Sequence, residues 1–309
     1  MRDSPLGSIR QTYHAERLEP IHRFLDPETE RQRERRRIII CCIPYFLLAT
    51  FTAFIPVAVM TRMSFSTDSF SNEGFTLEAW RTLLTDSTYQ VVAFNTLWFA
   101  AATTIVSVVI AIAISQALQK YDLPFEQALV AMVSFPIALP GIVVGFMIIV
   151  LFGRQGLLTN LAAVFTGQSA IDLSMAITVT GLFLGYVFSL IPRATMVLRG
   201  TFSEINTSAE EAARALGATP MMTFYYVTLP QVWPGVMAAL ILTFRAALAI
   251  FGTVLVLAAL HVATLQIYLE ISIRFDTQMA AAIGLIYFLF IVGFTYAGLQ
   301  LIDRGELTI

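Results

Sequence analysis

Residues 210–231, EEAARALGATPMMTFYYVTLPQ, read as ordinary soluble surface, yet they lie between two long apolar stretches. Ser208 followed three residues later by Glu211 is a capping-box pattern, which predicts a short alanine-rich helix from Ala209 through Leu216. Gly217 can end that helix in a left-handed conformation. Thr219 and Pro220 then restart a helix as N-cap and first helical residue, and Pro230 is expected to stop it. The first helix, roughly eight residues and about 12 Å long, is too short to be stable alone in water. The second carries Met221, Met222, Phe224, Tyr225, Tyr226 and Val227, more apolar surface than a loop facing water needs. Either a groove on a partner or the helix ends of the chain's own bundle must cover part of it, unless the loop packs on itself and only reconnects two segments.

The chain around this stretch is built for lipid. Of its 309 residues 57% are hydrophobic and only 13% charged, whereas soluble domains hold about 45–50% apolar and about 25% charged residues. Crossing a hydrocarbon core of roughly 30 Å takes about 20 apolar residues. Six segments qualify: about 38–60, 91–118, 128–152, 173–198, 236–258 and 279–302. The formal net charge of −2 hides an uneven distribution, because nine of the 19 Lys and Arg residues lie within the first 37 positions and end in the run RQRERRR. Arginine directly before the first span favours the cytoplasmic side. The N-terminus is then inside, residues 61–90, 153–172 and 259–278 outside, and residues 119–127, 199–235 and the tail from Asp303 inside. The opening stretch falls in the cytoplasm between spans four and five. Residues 1–37 read as a mixed-charge tail or surface helix, and SIRQTYHAERLEPIHRFL before Pro27 is only weakly amphipathic. The first apolar segment is too long for a signal peptide and is expected to remain as an anchor. Adjacent Cys41 and Cys42 read as small apolar residues, without the spacing of a metal site or a disulfide framework.

With the loop placed, its residues carry a specific likeness. EAA at 211–213, three residues, Gly217, nine residues, Val227, one residue, and Leu229–Pro230 resemble the EAA loop of the membrane-spanning permease subunits of bacterial ABC importers that depend on a substrate-binding protein. Val227 departs conservatively from the commoner isoleucine. The likeness runs from about Asn95 to Leu299 and includes NTLWFAAATTIVSVVIAIAISQAL and FPIALPGIVVGFMIIVLFGRQGL. It implies an all-α polytopic membrane protein with six transmembrane helices, the type I ABC importer permease fold. The organisation expected is a charged cytoplasmic tail over 1–37, a first transmembrane helix over 38–60, a periplasmic segment over 61–90, and a transporter core over 91–302. That core carries a coupling loop over 199–235, and a short cytoplasmic tail follows over 303–309.

In this family the loop docks in a groove on the ATP-hydrolysing subunit. Carried over residue by residue, Glu211 is the polar contact, Ala212 and Ala213 the surface of close approach, Gly217 the bend, and Leu229 and Pro230 the end of the motif. The capping-box reading competes for Glu211, so cap and contact both stand. The resemblance also implies two ATP-binding subunits, which hold the ATP and magnesium; this chain itself needs no cofactor and no metal. A second permease subunit, identical or related, and a periplasmic or lipid-anchored substrate-binding protein complete the assembly, in the lipid of the bacterial inner membrane and without nucleic acid. FGTVLVLA from Phe251 and ATLQIYLEISIRFDTQMAAAIGLI look most like permeases of the ferric-ion, thiamine, aminoethylphosphonate and polyamine group.

Energy must come from outside the chain. No GxxxxGK[ST] phosphate-binding loop occurs, and no paired carboxylates, metal-ligand cluster or nucleophile arrangement suggests an enzyme. A gradient-driven carrier usually places acidic groups or histidines in its spans, and the six expected here lack Asp, Glu and His. That carrier, and a non-transporting membrane assembly subunit, are the alternatives to an importer permease. Arg245, about ten residues into the fifth span, must face protein or water. It either attracts an anionic group on the solute or pairs with helix-end carbonyls or a partner's acid. Pro136, Pro140 and Gly141 interrupt the third span, where freed carbonyls either line a polar pathway or merely shape packing.

Overall fold

A computed structural model of the protein describes residues 30–67, 74–121 and 124–306, with the side chains of 32, 301 and 303–306 excepted. The expected N-terminal tail lies outside the described residues as far as position 29, as does the end of the expected C-terminal tail from 307. Among the described residues every regular element is helical. Six helical stretches are long and apolar enough to cross a membrane: Arg33–Ser64, Ser87–Lys120, Gly141–Thr166, Val179–Ser203, Pro220–Ala249 and Thr277–Gln300. The chain divides into two units, Met1–Met60 and Thr61–Ile309.

The first unit contributes α1 (Glu30–Ala49), a π-helical turn (Thr50–Phe54) and the start of α2 (Ile55–Ser64). Phe46, Leu48, Phe51 and Phe54 are exposed, as expected of side chains that contact lipid. The hydroxyls of Thr50 and Thr52 donate to the carbonyls of Phe46 and Leu48, both at 2.8 Å, and so need no water. The π turn has a local cause. Pro56 has no N–H for the carbonyl four residues back, and its ring would strike that carbonyl in a regular helix. The Ile55 N–H donates instead to the Thr50 carbonyl, five residues back, and the helix runs on through the proline.

The second unit begins with α3 (Glu78–Thr85) and α4 (Ser87–Lys120). Asp86 separates them as the N-cap of α4: its carboxylate accepts the Thr88 N–H at 2.7 Å, which holds the acid below the usual carboxylate range. There follow α5 (Glu126–Ser134), a 3₁₀ turn (Phe135–Ala138), α6 (Gly141–Phe152), α7 (Leu157–Thr166) and α8 (Val179–Ser203). The chain continues with α9 (Thr207–Ala215), α10 (Pro220–Thr223), a second π turn (Phe224–Thr228), α11 (Leu229–Ala249), α12 (Gly252–Leu257), α13 (Ala263–Leu269), a third π turn (Glu270–Arg274) and α14 (Thr277–Glu306).

α4, α8 and α11 pack on one another at the centre. Lipid gives helices no hydrophobic reason to associate, so the contacts rest on close packing and small residues. Phe99 of α4 meets Tyr186 of α8 edge to face, with ring centroids 5.0 Å apart, and Val108 and Ala111 pack with Leu198, Phe202, Val232 and Val236. Thr103 and Ser107, both fully buried, return their hydroxyls to the carbonyls of Phe99 and Thr103 at 2.8 and 2.7 Å. α14 closes on α11, where the Tyr287 hydroxyl donates to the Leu248 carbonyl at 2.6 Å.

Two expected spans are shorter or more broken than their hydropathy indicates. The segment expected over 128–152 is two helices joined by the 3₁₀ turn and by Leu139–Pro140, and the apolar run then continues through α7. The segment expected over 236–258 stops at Ala249, and α12 is a separate single-turn element folded against α6. Their crossing explains the breaks. A Cβ on Gly252 would lie 2.7 Å from the Ile142 nitrogen, and one on Gly145 would lie 2.9 Å from Val256 Cβ, so only glycine admits this approach. Thr253, completely buried, donates its hydroxyl to the Gly141 carbonyl at 2.9 Å.

Candidate functional site

The loop between α8 and α11 folds as two helices around a glycine bend, as its punctuation predicts, but its caps differ. Asn206, not Ser208, is the N-cap of α9: its side-chain oxygen accepts the Ser208 N–H at 3.1 Å. The helix therefore starts at Thr207, and Glu211 falls beyond the position from which it could fold back on the cap. The capping box over Ser208 and Glu211 does not form. Glu211 is exposed, and no hydrogen bond engages it among the described residues.

At the other end Gly217 adopts φ +88°, the left-handed region that costs an L side chain energy. The Ala218 N–H donates to the Ala213 carbonyl at 3.0 Å and the Gly217 N–H to the Arg214 carbonyl at 2.9 Å, the paired bonds of a Schellman ending. Thr219 then caps α10 by accepting the Met222 N–H at 3.3 Å, with Pro220 as the first helical residue, as expected.

Pro230 does not stop the second helix. It stands at the start of α11, and α10, the second π turn and α11 form one continuous helical stretch, Pro220–Ala249. The reason is the one seen at Pro56: the Leu229 N–H donates to the Phe224 carbonyl, five residues back, so the turn widens before the ring. Leu229 is half-buried beside Phe202 and Val232, while Pro230 is exposed.

Four polar side chains, Glu210, Arg214, Thr228 and Gln231, hold the bend in place, and the sequence reading gave none of them this role. Thr228, at the end of the π turn, donates its hydroxyl to Glu210 Oε1, and Arg214 donates to Glu210 Oε2 at 3.4 Å. The Glu210 side chain is only 15% exposed, so this carboxylate belongs to the loop's interior. Gln231 joins the other end: its Nε2 donates to the Val227 carbonyl at 3.0 Å, and its Oε1 accepts the Asn206 N–H at 3.3 Å. Of the neighbouring acids Glu210 and Glu211, the first ties the loop to α11 and the second faces out. Helical spacing from the N-cap alone separates them, but only once the N-cap is known.

Held in this way, the loop displays Leu216, Met221, Met222, Tyr225 and Tyr226, each at least half exposed. Ala212 is exposed and Ala213 half-buried on α9. A cleft of about 210 Å³ opens beside it, lined by Gln116, Lys120, Glu210, Glu211 and Arg214 among others. Short helices fixed by side-chain ties and presenting uncovered apolar surface suit a rigid contact with another protein.

The residues singled out in the spans do not form one cluster. Pro136 is buried in the 3₁₀ turn, and Pro140 and Gly141 open α6 at the crossing with α12, where Thr253 already occupies the Gly141 carbonyl. Arg245 is exposed on α11 and has no ion pair or hydrogen bond among the described residues. A second cation was missed: Arg193 lies within α8, half-buried, donating to the Ser189 carbonyl one turn back. Also unforeseen is a buried carboxylate outside the expected spans. Glu270, 1% exposed, accepts at Oε1 from the Tyr89 hydroxyl at 2.9 Å, Gln266 Nε2 at 2.7 Å and Arg274 Nη1 at 2.8 Å.

Six membrane-length helices and a tied helix–bend–helix loop between the fourth and fifth define a polytopic helical membrane protein. The chain belongs to the binding-protein-dependent transport system inner membrane components, whose family model matches residues 110–305. The sulfate transport system permease protein CysT of Salmonella typhimurium is 30% identical over 172 residues, covering 54% of this chain and 60% of that protein. Its counterpart in Synechocystis is 29% identical over 217 residues, covering 70% of this chain and 72% of that one. The chain thus matches less than two thirds of the Salmonella relative's length. The fold agrees with that of a bacterial ABC transporter involved in the import of alginate, at TM-score 0.74 and 14% identity over 88% of this chain and 96% of the other. The narrower likeness to ferric-ion, thiamine, aminoethylphosphonate and polyamine permeases finds no support among these relatives, which are sulfate permeases.

Proposed function

We propose that this chain is the permease subunit of an ATP-driven importer in the bacterial inner membrane, with both termini in the cytoplasm. Two ATP-binding subunits holding ATP and magnesium, a second permease subunit and a substrate-binding protein complete the working assembly. The observation that carries this reading is the loop between α8 and α11: its bend at Gly217 is fixed by the Glu210–Thr228 and Gln231–Asn206 ties, while Glu211 and five large apolar side chains face away. Such a loop transmits a push from a docked ATPase to α11, because the last turn before the span is tied to the docking helix itself.

Solute delivered by the binding protein enters between the spans when ATP draws the two coupling loops together, and hydrolysis returns the bundle to its inward-open form. Pro136, Pro140 and Gly141 have a shaping role in this cycle, through the α6–α12 crossing that they make possible. Arg245 belongs to the pathway itself.

Replacing Gly217 with proline removes the N–H that closes the Schellman ending and forbids φ +88°. The expected result is loss of uptake and of ATPase co-purification, with the protein still inserted in the membrane. Undiminished co-purification and uptake would overturn the coupling role. ATP-dependent uptake into vesicles that survives an uncoupler separates this reading from a gradient-driven carrier.

A further inference from the structure

We infer that Arg193 and Arg245 together form a cationic station for a small oxyanion on the flank of the α8–α11 pair that α4 leaves open. The inference rests on the importer reading and adds the chemical class of the solute.

Two contacts fix the register of α8 against α11. The Tyr186 hydroxyl donates to the Ile250 carbonyl at 3.2 Å near one end, and Thr201 meets Gly235 near the other, where a Cβ on the glycine would lie 2.1 Å from the threonine oxygen. Both pairs specify the same antiparallel alignment. In it Arg193 stands opposite Thr243, two residues from Arg245, or about 3 Å along the helix axis. The two guanidinium-bearing positions therefore share one depth.

They also share one side. Along the half of the pair that holds the arginines, α4 meets it through Val108 and Ala111, which pack with Leu198 and Phe202 of α8 and with Val232 and Val236 of α11; only toward the start of α8 does α4 cross to Tyr186. Positions 190, 194 and 198 of α8 and 232, 236 and 239 of α11 are buried in the core. At 100° per residue, Arg193 lies 180° around α8 from Phe202 and Arg245 lies 180° around α11 from Val236, so both emerge away from this α4 contact, and there Met196, Gly200 and Ala249 are exposed as well.

Among the described residues no acid pairs with either arginine. Ser87–Lys120, Gly141–Thr166, Val179–Ser203, Pro220–Ala249 and Thr277–Gln300 contain no Asp or Glu. A second copy of this chain could supply none from those helices either. Two like charges at one depth in a low-dielectric setting are unfavourable without an anion between them. Arginine's planar fork suits the oxygens of an oxyanion. The sulfate permeases to which the chain is similar handle a solute of that class by name.

The test uses the complete complex, with its ATPases and binding protein, reconstituted in liposomes, and measures ATP-dependent uptake of radiolabelled sulfate with molybdate, phosphate and a neutral sugar as competitors. Wild type is expected to take up sulfate or to show competition by one of the oxyanions but not by the sugar. Arg193→Gln and Arg245→Gln should each raise KM by about tenfold or more, the scale of one lost charge-assisted bond. The lysine variants at either position should lie between, because the charge remains while the fork is lost. Co-purification of the second permease should be retained in all four. Loss of that subunit in step with uptake would assign the arginines to a partner's acid and overturn the inference, as would Gln variants with unchanged KM. Indifference to every oxyanion in a complex whose ATP hydrolysis is still stimulated by its binding protein would overturn the station alone. Absence of any co-purifying ATPase would overturn the importer reading beneath it.

Discussion

Two segments of this chain use the same device for opposite ends. In the loop between α8 and α11, Glu210 is followed four residues later by Arg214, and in the segment before α14, Glu270 is followed four residues later by Arg274. Each acid also takes a hydroxyl from elsewhere, Thr228 in the first case and Tyr89 in the second, and each segment contains a π turn. They differ in burial. Glu270 is sealed at 1% exposure with three donors on one oxygen, whereas Glu210 keeps 15% and its arginine bond is long at 3.4 Å. A sealed carboxylate locks α13, α14 and the start of α4 into one body. A partly wet one holds the loop between α8 and α11 in shape through a weaker tie.

The largest effect expected from this contrast is at Arg274. Arg274→Ala leaves a buried carboxylate without its counter-charge, a change that costs about 3–5 kcal/mol when both partners are buried. Arg274 is 54% exposed, which places the cost near the lower end, about 3 kcal/mol. Unfolding in mixed micelles should show that loss, and Tyr89→Phe should show about half of it, as one bond to a charged acceptor. A loss at Arg274 no greater than that of a surface pair would mean that Glu270 is not sealed, and the contrast between the two segments would collapse.

The two segments also differ in how far the sequence reveals them. The loop between α8 and α11 announces itself locally: Gly217, Thr219 and Pro220 are each within a few residues of what they control, and the bend they predict is present. The Glu270 cluster depends on Tyr89, 181 positions away, a pairing that no local pattern carries. Errors inside the readable loop came from competing short-range rules. Asn206 and Ser208 are both good caps, and the choice falls to Asn206, whose backbone is held by Gln231 on α11. Pro230 reads as a breaker because a local rule cannot anticipate a π turn that lets the helix pass the ring. Hydropathy found all six membrane-length segments, and Pro136, Pro140 and Gly141 marked the interruption of the third, but the break at 250–251 was missed. That second break is set by the tight approach of α6 and α12, where glycine's lack of a side chain matters more than its hydrophobicity.

A smaller effect is expected at Glu210. Glu210→Ala removes the acceptor of Thr228 and the partner of Arg214, both within reach of water, so the stability loss should be about 1–2 kcal/mol. Its effect on coupling should exceed its effect on folding. With the loop free to swing about Gly217, ATPase subunits should still co-purify, but uptake per ATP hydrolysed should fall. Glu210→Gln, which keeps an acceptor for Thr228, should restore most of that ratio. If the alanine variant transports as efficiently as wild type, the tie shapes the loop without transmitting force, and the likeness to the Glu270 lock is only formal.

The smallest effect on stability belongs to the adjacent residue, and that is what makes it informative. Glu211 is exposed, makes no capping box because the helix starts at Thr207, and has no hydrogen bond among the described residues. Glu211→Ala should therefore change unfolding by no more than about 0.5 kcal/mol, the ordinary range for a surface position. If Glu211 contacts the ATPase, the same variant should weaken co-purification with it, and increasingly so as salt is lowered, because wild-type docking gains from the charge under those conditions. Neighbouring glutamates would then separate cleanly: loss at 210 appears in the shape of the loop and loss at 211 in its partner. A stability loss at 211 equal to that at 210 would return Glu211 to the helix cap and leave the apolar side chains from Leu216 to Tyr226 to carry the docking alone.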